Sequence, residues 1–120
     1  MSAFASVAGE PFAYLTTRGR RTGGSHTIEI WFGVRDETVY LLSGGGDRSD
    51  WVRNLLADPV ATLRIGELDR PVRGRVVRDA DEEAIARRLL AAKYQRWREG
   101  RPLSGWARTA LPVALDPAAP

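Results

Sequence analysis

The alternation of apolar and polar positions begins with a short β-prone run, Phe12 to Thr17, which stops at Gly19-Arg20-Arg21-Thr22-Gly23-Gly24. From His26 to Val34 the residues alternate, with Ile28, Ile30 and Phe32 on one face and Thr27, Glu29 and Trp31 on the other, which predicts one half-buried strand. Asp36-Glu37 turns the chain into a third strand, Val39 to Ser43, ending at Gly44-Gly45-Gly46, and the two strands are expected to pair as a hairpin. Ser49 or Asp50 can cap a short helix that carries Trp51, Val52, Leu55 and Leu56 at helical spacing and ends at Asp58-Pro59. Val60 to Ile65 and Val72 to Arg78 read as strands around a turn from Gly66 to Asp69. Asp79-Ala80-Asp81-Glu82 supplies an acidic start for a long helix. Its apolar stripe runs through Ile85, Ala86, Leu89, Leu90, Ala92, Lys93, Tyr94 and Trp97. Ala107 to Leu115 supplies a last strand, which Pro112 should confine to an edge or an irregular position. Short strands at regular spacing, with two helices inserted between hairpins, predict an α+β fold that is mainly an antiparallel barrel.

Length and composition narrow the chemistry. At 120 residues, 28% of them charged, the chain reads as one domain over 1–120, with a Pro/Ala tail from Asp116 expected to fray. No apolar run approaches the roughly 18 residues of a membrane span and the start has no basic-then-apolar leader pattern, so a cytoplasmic protein is expected. With no cysteine and one histidine, thiolate and histidine-rich metal centres and cysteine nucleophiles are excluded. The formal charge is +3, and the basic residues are 17 arginines against Lys93 alone, which favours bidentate contacts to anions. Those arginines are interleaved with acids and follow no recognition-helix pattern, so a nucleic-acid partner is not expected.

Two glycine-rich connections could carry chemistry. Thr16 to Ser25 brings arginines and hydroxyls together on a tight turn, suited to phosphate or carboxylate, or else simply a solvated basic turn. A P-loop is ruled out, because Gly-Lys-Ser/Thr is missing and the following segment alternates as a strand. Ser43-Gly44-Gly45-Gly46 runs from a strand into a helix start, where backbone N–H groups could hold an anion or the edge of a flat ring; a flexible loop is the other reading. Trp31, Trp51, Tyr94 and Trp97 could form a ring-binding slot or pack as core and interface aromatics. His26 cannot form a dyad with Ser25, since strand neighbours point to opposite faces, and it reads as a surface or phosphate-contacting residue.

In order along the chain stand Leu15-Thr16-Thr17-Arg18-Gly19-Arg20-Arg21-Thr22-Gly23, Trp31-Phe32, Arg35-Asp36, Ser43-Gly44-Gly45-Gly46, Trp51 with Asn54-Leu55, Asp58-Pro59, and Arg108-Thr109. This series resembles the deazaflavin (F420)-dependent nitroreductase and quinone reductase family, split-barrel flavin/deazaflavin oxidoreductases of actinobacteria, over most of residues 14 to 115. The resemblance implies a split β-barrel of the FMN-binding type, acting as a homodimeric oxidoreductase. Such an enzyme passes hydride from reduced coenzyme F420 to a quinone, nitro compound or activated alkene. It implies phosphate and acidic-tail contacts from Arg20, Arg21 and Thr22, ring-edge contacts from Leu42, Ser43 and Gly44, and a pocket bounded by Trp51 and Asn54, with Trp31 as its aromatic. His26 and Thr27 complete the expected cofactor-binding set. Ser43 and Tyr94 are the candidate catalytic proton donors. At His26, Glu29 and Gly44 the family commonly has arginine, proline and lysine, so the pocket is less positive here. The alternatives are the same barrel holding FMN, and a cofactor-binding module without catalysis.

Overall fold

The computed structural model describes residues 3–118. Seven antiparallel strands form one curled sheet in the order β2-β1-β5-β6-β7-β4-β3. These are β1 (Ala13–Arg18), β2 (Ser25–Ile30), β3 (Gly33–Arg35), β4 (Thr38–Ser43), β5 (Val60–Ile65), β6 (Leu68–Val76) and β7 (Leu111–Pro117). Three helices accompany them, α1 (Asp50–Ala57), α2 (Ala80–Tyr94) and α3 (Gly105–Thr109), with short 3-10 turns at Ala3–Val7 and Gly46–Arg48.

The continuous strand expected from His26 to Val34 is instead broken at Trp31-Phe32. Its two parts, β2 and β3, lie at opposite edges of the sheet, so the chain crosses directly from one edge to the other. The crossing is possible because α2 supplies the hydrogen bonds that a neighbouring strand would otherwise give. Phe32 N–H donates to the Tyr94 hydroxyl at 3.0 Å, and the Phe32 carbonyl accepts from Lys93 Nζ at 3.3 Å and from Tyr94 at 3.2 Å. The Phe32 ring stays fully buried in the barrel, with the Lys93 ammonium 3.5 Å from its centroid. Burial pushes the Lys93 ammonium down and the Tyr94 phenol up from their ordinary pKa values.

Side-chain alternation then builds two cores. Inward residues Leu15, Phe32, Val39, Leu41, Leu63, Ile65, Val72 and Leu115 fill the barrel, together with Val52 and Leu55 of α1 and Phe4. Tyr40, Leu42 and Ala114 face outward and are covered by Ala86 and Leu90 of α2, which explains why β4 is buried along almost its whole length. The α2 helix begins as the sequence indicates, with the Asp79 carboxylate accepting from Glu82 N–H, but it ends at Tyr94, short of Trp97. Arg96 there adopts φ 57, and the Gln95 and Trp97 N–H groups both return to the Ala91 carbonyl, a turn that closes the helix.

Two further expectations are corrected. Ala107 belongs to α3 rather than to a strand, and β7 is central, between β6 and β4, rather than at an edge. Pro112 is tolerated because β6 leaves the sheet beside it: Val77 N–H donates to the Pro112 carbonyl, and the proline has no N–H to return. The segment from Asp116 to Ala118 is fixed, not frayed. Asp116 accepts from Arg75 Nε at 2.7 Å and Thr38 Oγ1 at 2.9 Å, and Ala118 N–H donates to Pro71. The last two residues of the expected tail, 119 and 120, lie outside the described residues.

Arg75 also grips Glu82 with two hydrogen bonds of 2.8 Å, fastening β6 to α2. That pairing is the main reason the Glu82 carboxyl is held down to about 2; the Tyr40 phenol is pushed up to about 12, by burial first and then by its bond to Glu82. Because the folded pKa of Glu82 lies below its ordinary 4.5, its stabilising contribution is complete above pH 4.5 and is lost as pH falls from there toward 2. Acid titration of the unfolding midpoint should show this loss in the native chain and a shallower one in Glu82→Gln. Equal slopes would remove Glu82 from the acid response.

Candidate functional site

The β1–β2 turn is built by its glycines. Gly19 N–H donates to Gly24 O at 2.7 Å, Gly23 N–H donates to Gly19 O at 2.8 Å, and Gly23 adopts φ 76, a conformation that other residues take only under strain. A Cβ at Gly19 would stand 2.5 Å from His26 Nε2, so the histidine ring packs directly on the backbone across the hairpin. Thr17 and His26 are cross-strand partners and share the inner face. The hairpin end and the first turns of α1 thus bound an open cleft of about 580 Å³, within the range of small-molecule and cofactor sites.

The cleft is lined by Thr17, Gly19, Arg20, Arg21, Thr22, Ser25, His26, Thr27, Ile28, Asp50, Trp51 and Asn54. Seven of the eleven cofactor-binding candidates therefore meet here: Arg20, Arg21, Thr22, His26, Thr27, Trp51 and Asn54. They differ in what they have left to offer a ligand. Asn54 is only 3% exposed, and its amide is the hub of the wall. Nδ2 donates to Thr17 Oγ1 at 3.1 Å, while Oδ1 accepts from Arg20 Nη1 at 2.8 Å and from Arg20 N–H at 3.3 Å. Arg20 Nη2 turns outward to Asp50 Oδ1 at 3.1 Å. Thr27 is tied to Thr16 Oγ1 at 2.7 Å, and Thr22 Oγ1 accepts from Gly24 N–H at 3.3 Å. Arg21 and His26 are exposed, and among the described residues neither side chain makes a hydrogen bond or ion pair.

Trp31, Leu42, Ser43, Gly44 and Tyr94 are not part of this lining. Trp31 stacks on Tyr94 with ring centroids 4.3 Å apart and meets Trp106 edge-on at 5.5 Å. Gly44 also faces Trp106, since a Cβ there would lie 3.3 Å from the indole nitrogen. Leu42 is buried beneath α2. Ser43 is 2% exposed; its hydroxyl lies 2.8 Å from both Gly46 O and Ser49 Oγ, so it braces the turn into α1 from behind the cleft wall. The Tyr94 hydroxyl is taken up by Phe32 and by the Pro11 carbonyl at 2.9 Å. Both candidate proton donors are thus engaged in holding the fold.

Asp50 and Trp106 are the residues whose places the sequence reading did not give. Of the two cap candidates in the sequence, Ser49 is the cap residue, although its hydroxyl turns to Ser43, and Asp50 is the first residue of the helix. The spacing of Asp50 and Asn54 held the signal, because residues four apart share one helix face. Here that face meets Arg20.

Comparison with known proteins agrees with this architecture. The family model described as F420H(2)-dependent quinone reductase matches residues 3–114. No curated protein matches. Among solved structures, an F420-H2 dependent reductase (FDR-A) superposes with a TM-score of 0.63 at 20% identity, over 88% of this chain and 93% of that one. An F420 reductase gives 0.64 at 17% identity, over 99% and 96%. A chain described as a domain-swapped dimer gives 0.66 at 18% identity, over 88% and 79%. These structural likenesses establish the split-barrel fold, and the family match spans nearly the whole chain. The chain belongs to the F420H2-dependent quinone reductase family, as a reductase whose cofactor is coenzyme F420.

Proposed function

We propose that the cleft between the β1–β2 turn and α1 holds the anionic end of F420, and that the acceptor is a small quinone, nitro compound or activated alkene. The observation that carries this is Arg21: an exposed guanidinium without a protein partner among the described residues, beside His26 and the Thr22 hydroxyl in a cofactor-sized cleft. Arg75 and Arg87, by contrast, are consumed inside the fold by carboxylates or carbonyls. Arg21 would give a phosphate or tail carboxylate a charge-assisted bond, His26 and Ser25 would flank it, and Trp51 would limit the apolar side. When bound, F420H2 supplies the hydride itself. The chain's part is to hold and orient the cofactor; water is the proton source of this proposal, with Ser43 and Tyr94, whose hydroxyls are hydrogen-bonded within the fold, the candidates if a side chain is needed beyond it.

Titration with F420 and, in parallel, FMN, followed by quenching of tryptophan emission, to which Trp51 in the cleft contributes, tests the reading. F420 should bind selectively, and Arg21→Ala should lose about 1.5–3 kcal/mol of affinity, the worth of a hydrogen bond to a charged group. Undiminished affinity in that variant would take the anion out of this cleft.

The proposal includes a cytoplasmic homodimer with neither a nucleic-acid nor a membrane partner. Leu56 and Val60, four residues apart at the end of α1 and the start of β5, are exposed apolar side chains available to a second copy, and one structural relative is described as a domain-swapped dimer. No helix among the described residues is long and apolar enough to cross a membrane. Sedimentation velocity on the titrated sample reads the dimer directly, and a monomer would remove it.

A further inference from the structure

We propose that Asp50 holds the place of the cofactor's anionic group on Arg20, so that the Arg20–Asp50 pair opens when the cofactor enters and Asp50 sets how tightly the cleft takes an anion. The inference rests on the reading of the cleft given above. Its geometry comes from the unequal way the two partners are held. The Arg20 side chain is 21% exposed, and its inner edge is fixed by the buried Asn54 amide. The outer edge, Nη2, carries only Asp50, and both residues line the cleft. Asp50 is 86% exposed, and Arg20 is its one ion-pair partner among the described residues. The arginine is therefore preorganised and the carboxylate is loosely placed.

An exposed ion pair of this kind contributes little, because water solvates a freed carboxylate almost as well as the arginine does. A phosphate or carboxylate reaching the same N–H group faces a small cost for displacing Asp50 and gains an arginine already pointed at it. Arg21 next along the turn supplies the second cation. With Asp50 present, the three formal charges of Arg20, Arg21 and Asp50 sum to one positive; with a neutral side chain at 50 they sum to two. Asp50 thus acts as a built-in competitor that lowers affinity for any anion. A purely structural role, as the acidic residue in the first turn of α1, leads to the opposite expectation, since its removal would weaken the wall and the site with it.

The test compares F420 dissociation constants for the native chain, Asp50→Asn, Asp50→Glu and Arg21→Ala, at low salt and at about 0.15 M salt, with inorganic phosphate as a second probe. Asp50→Asn should bind F420 about 2- to 5-fold more tightly at low salt, as expected for removal of one exposed competing charge, with the gain shrinking as salt rises. Phosphate should compete at lower concentration in the same variant, and Asp50→Glu should behave as native. Unchanged or weaker binding in Asp50→Asn, with Arg21→Ala still weakened, would overturn the displacement and leave the cleft reading standing. If Arg21→Ala is also unchanged, the cleft reading itself fails. Thermal unfolding of Asp50→Asn separates tighter binding from an altered fold, since a displacement role leaves the free protein's midpoint nearly unchanged.

Discussion

Phe32→Ala is expected to destabilise the protein by about 3–5 kcal/mol, the cost of removing a large buried aromatic and leaving a cavity that its neighbours cannot fill. Phe32 is fully buried, and it sits at the one point where the chain passes between the two edges of the sheet. Its surroundings have little freedom to collapse. The backbone at this residue is fixed by Tyr94 and Lys93, and Lys93 Nζ also reaches the Ala8 carbonyl at 3.0 Å, so the N-terminal turn and α2 meet on the same residue. Loss of the ring also deprives the partly buried Lys93 ammonium of its aromatic face. The measurement is a urea unfolding curve with the slope left free. A loss below about 1.5 kcal/mol would mean that the crossing is not a core element of the barrel.

Asn54→Leu should cost about 3 kcal/mol and at the same time weaken F420 binding by more than about tenfold. The substitution keeps the branched shape, at somewhat larger volume, but removes a donor and an acceptor that serve three groups on the opposing hairpin. Thr17 Oγ1 is buried with that residue at 2% exposure, and Arg20 would be left with Asp50 alone. The energetic penalty comes from buried polar groups without partners, and the functional penalty from a basic turn no longer anchored to α1. Asn54→Gln separates the two effects: its amide can still accept from Arg20 and donate to Thr17 without adding a charge to the cleft, so binding should recover much of its strength. Equal binding loss in Gln and Leu variants would show that the amide does not position the turn.

Much of the fold was legible because it depends on local pattern. The inward set Leu15, Ile28, Ile30, Leu63 and Val72 alternates in the sequence and alternates in the barrel. Helix α2 starts at the acidic cap its sequence displays. Asp58-Pro59 ends α1, with Asp58 N–H donating to Asn54 O in the last turn. The loop chemistry was legible for the same reason: glycine with arginine and threonine marks a tight polar turn wherever it is placed. The break at Trp31-Phe32 was not legible, because Ile28, Ile30 and Phe32 keep their alternation straight through it. Only Tyr94 and Lys93, more than sixty residues away, release the chain from its ladder there. Pro112 misled in the opposite direction. A missing N–H argues for an edge when the neighbour is unknown, and here the neighbouring strand simply ends beside it.

The candidate site divides along the same line. The sequence by itself determined which groups the hairpin carries, Arg20, Arg21, Thr22 and His26, because its turn and register are local properties. It also determined that no cysteine or histidine-rich metal chemistry was open to the chain. Tertiary structure decided which of these groups are free. Arg20 is committed on one side to Asn54 and on the other to Asp50, whereas Arg21, one residue on, is exposed without a side-chain partner among the described residues. It also gave Ser43 and Tyr94, the candidate proton donors, hydrogen-bond partners within the fold. Adjacent arginines look alike in sequence. What separates them is which hydrogen bonds the folded chain has already used, and that is settled by contacts thirty and more residues apart.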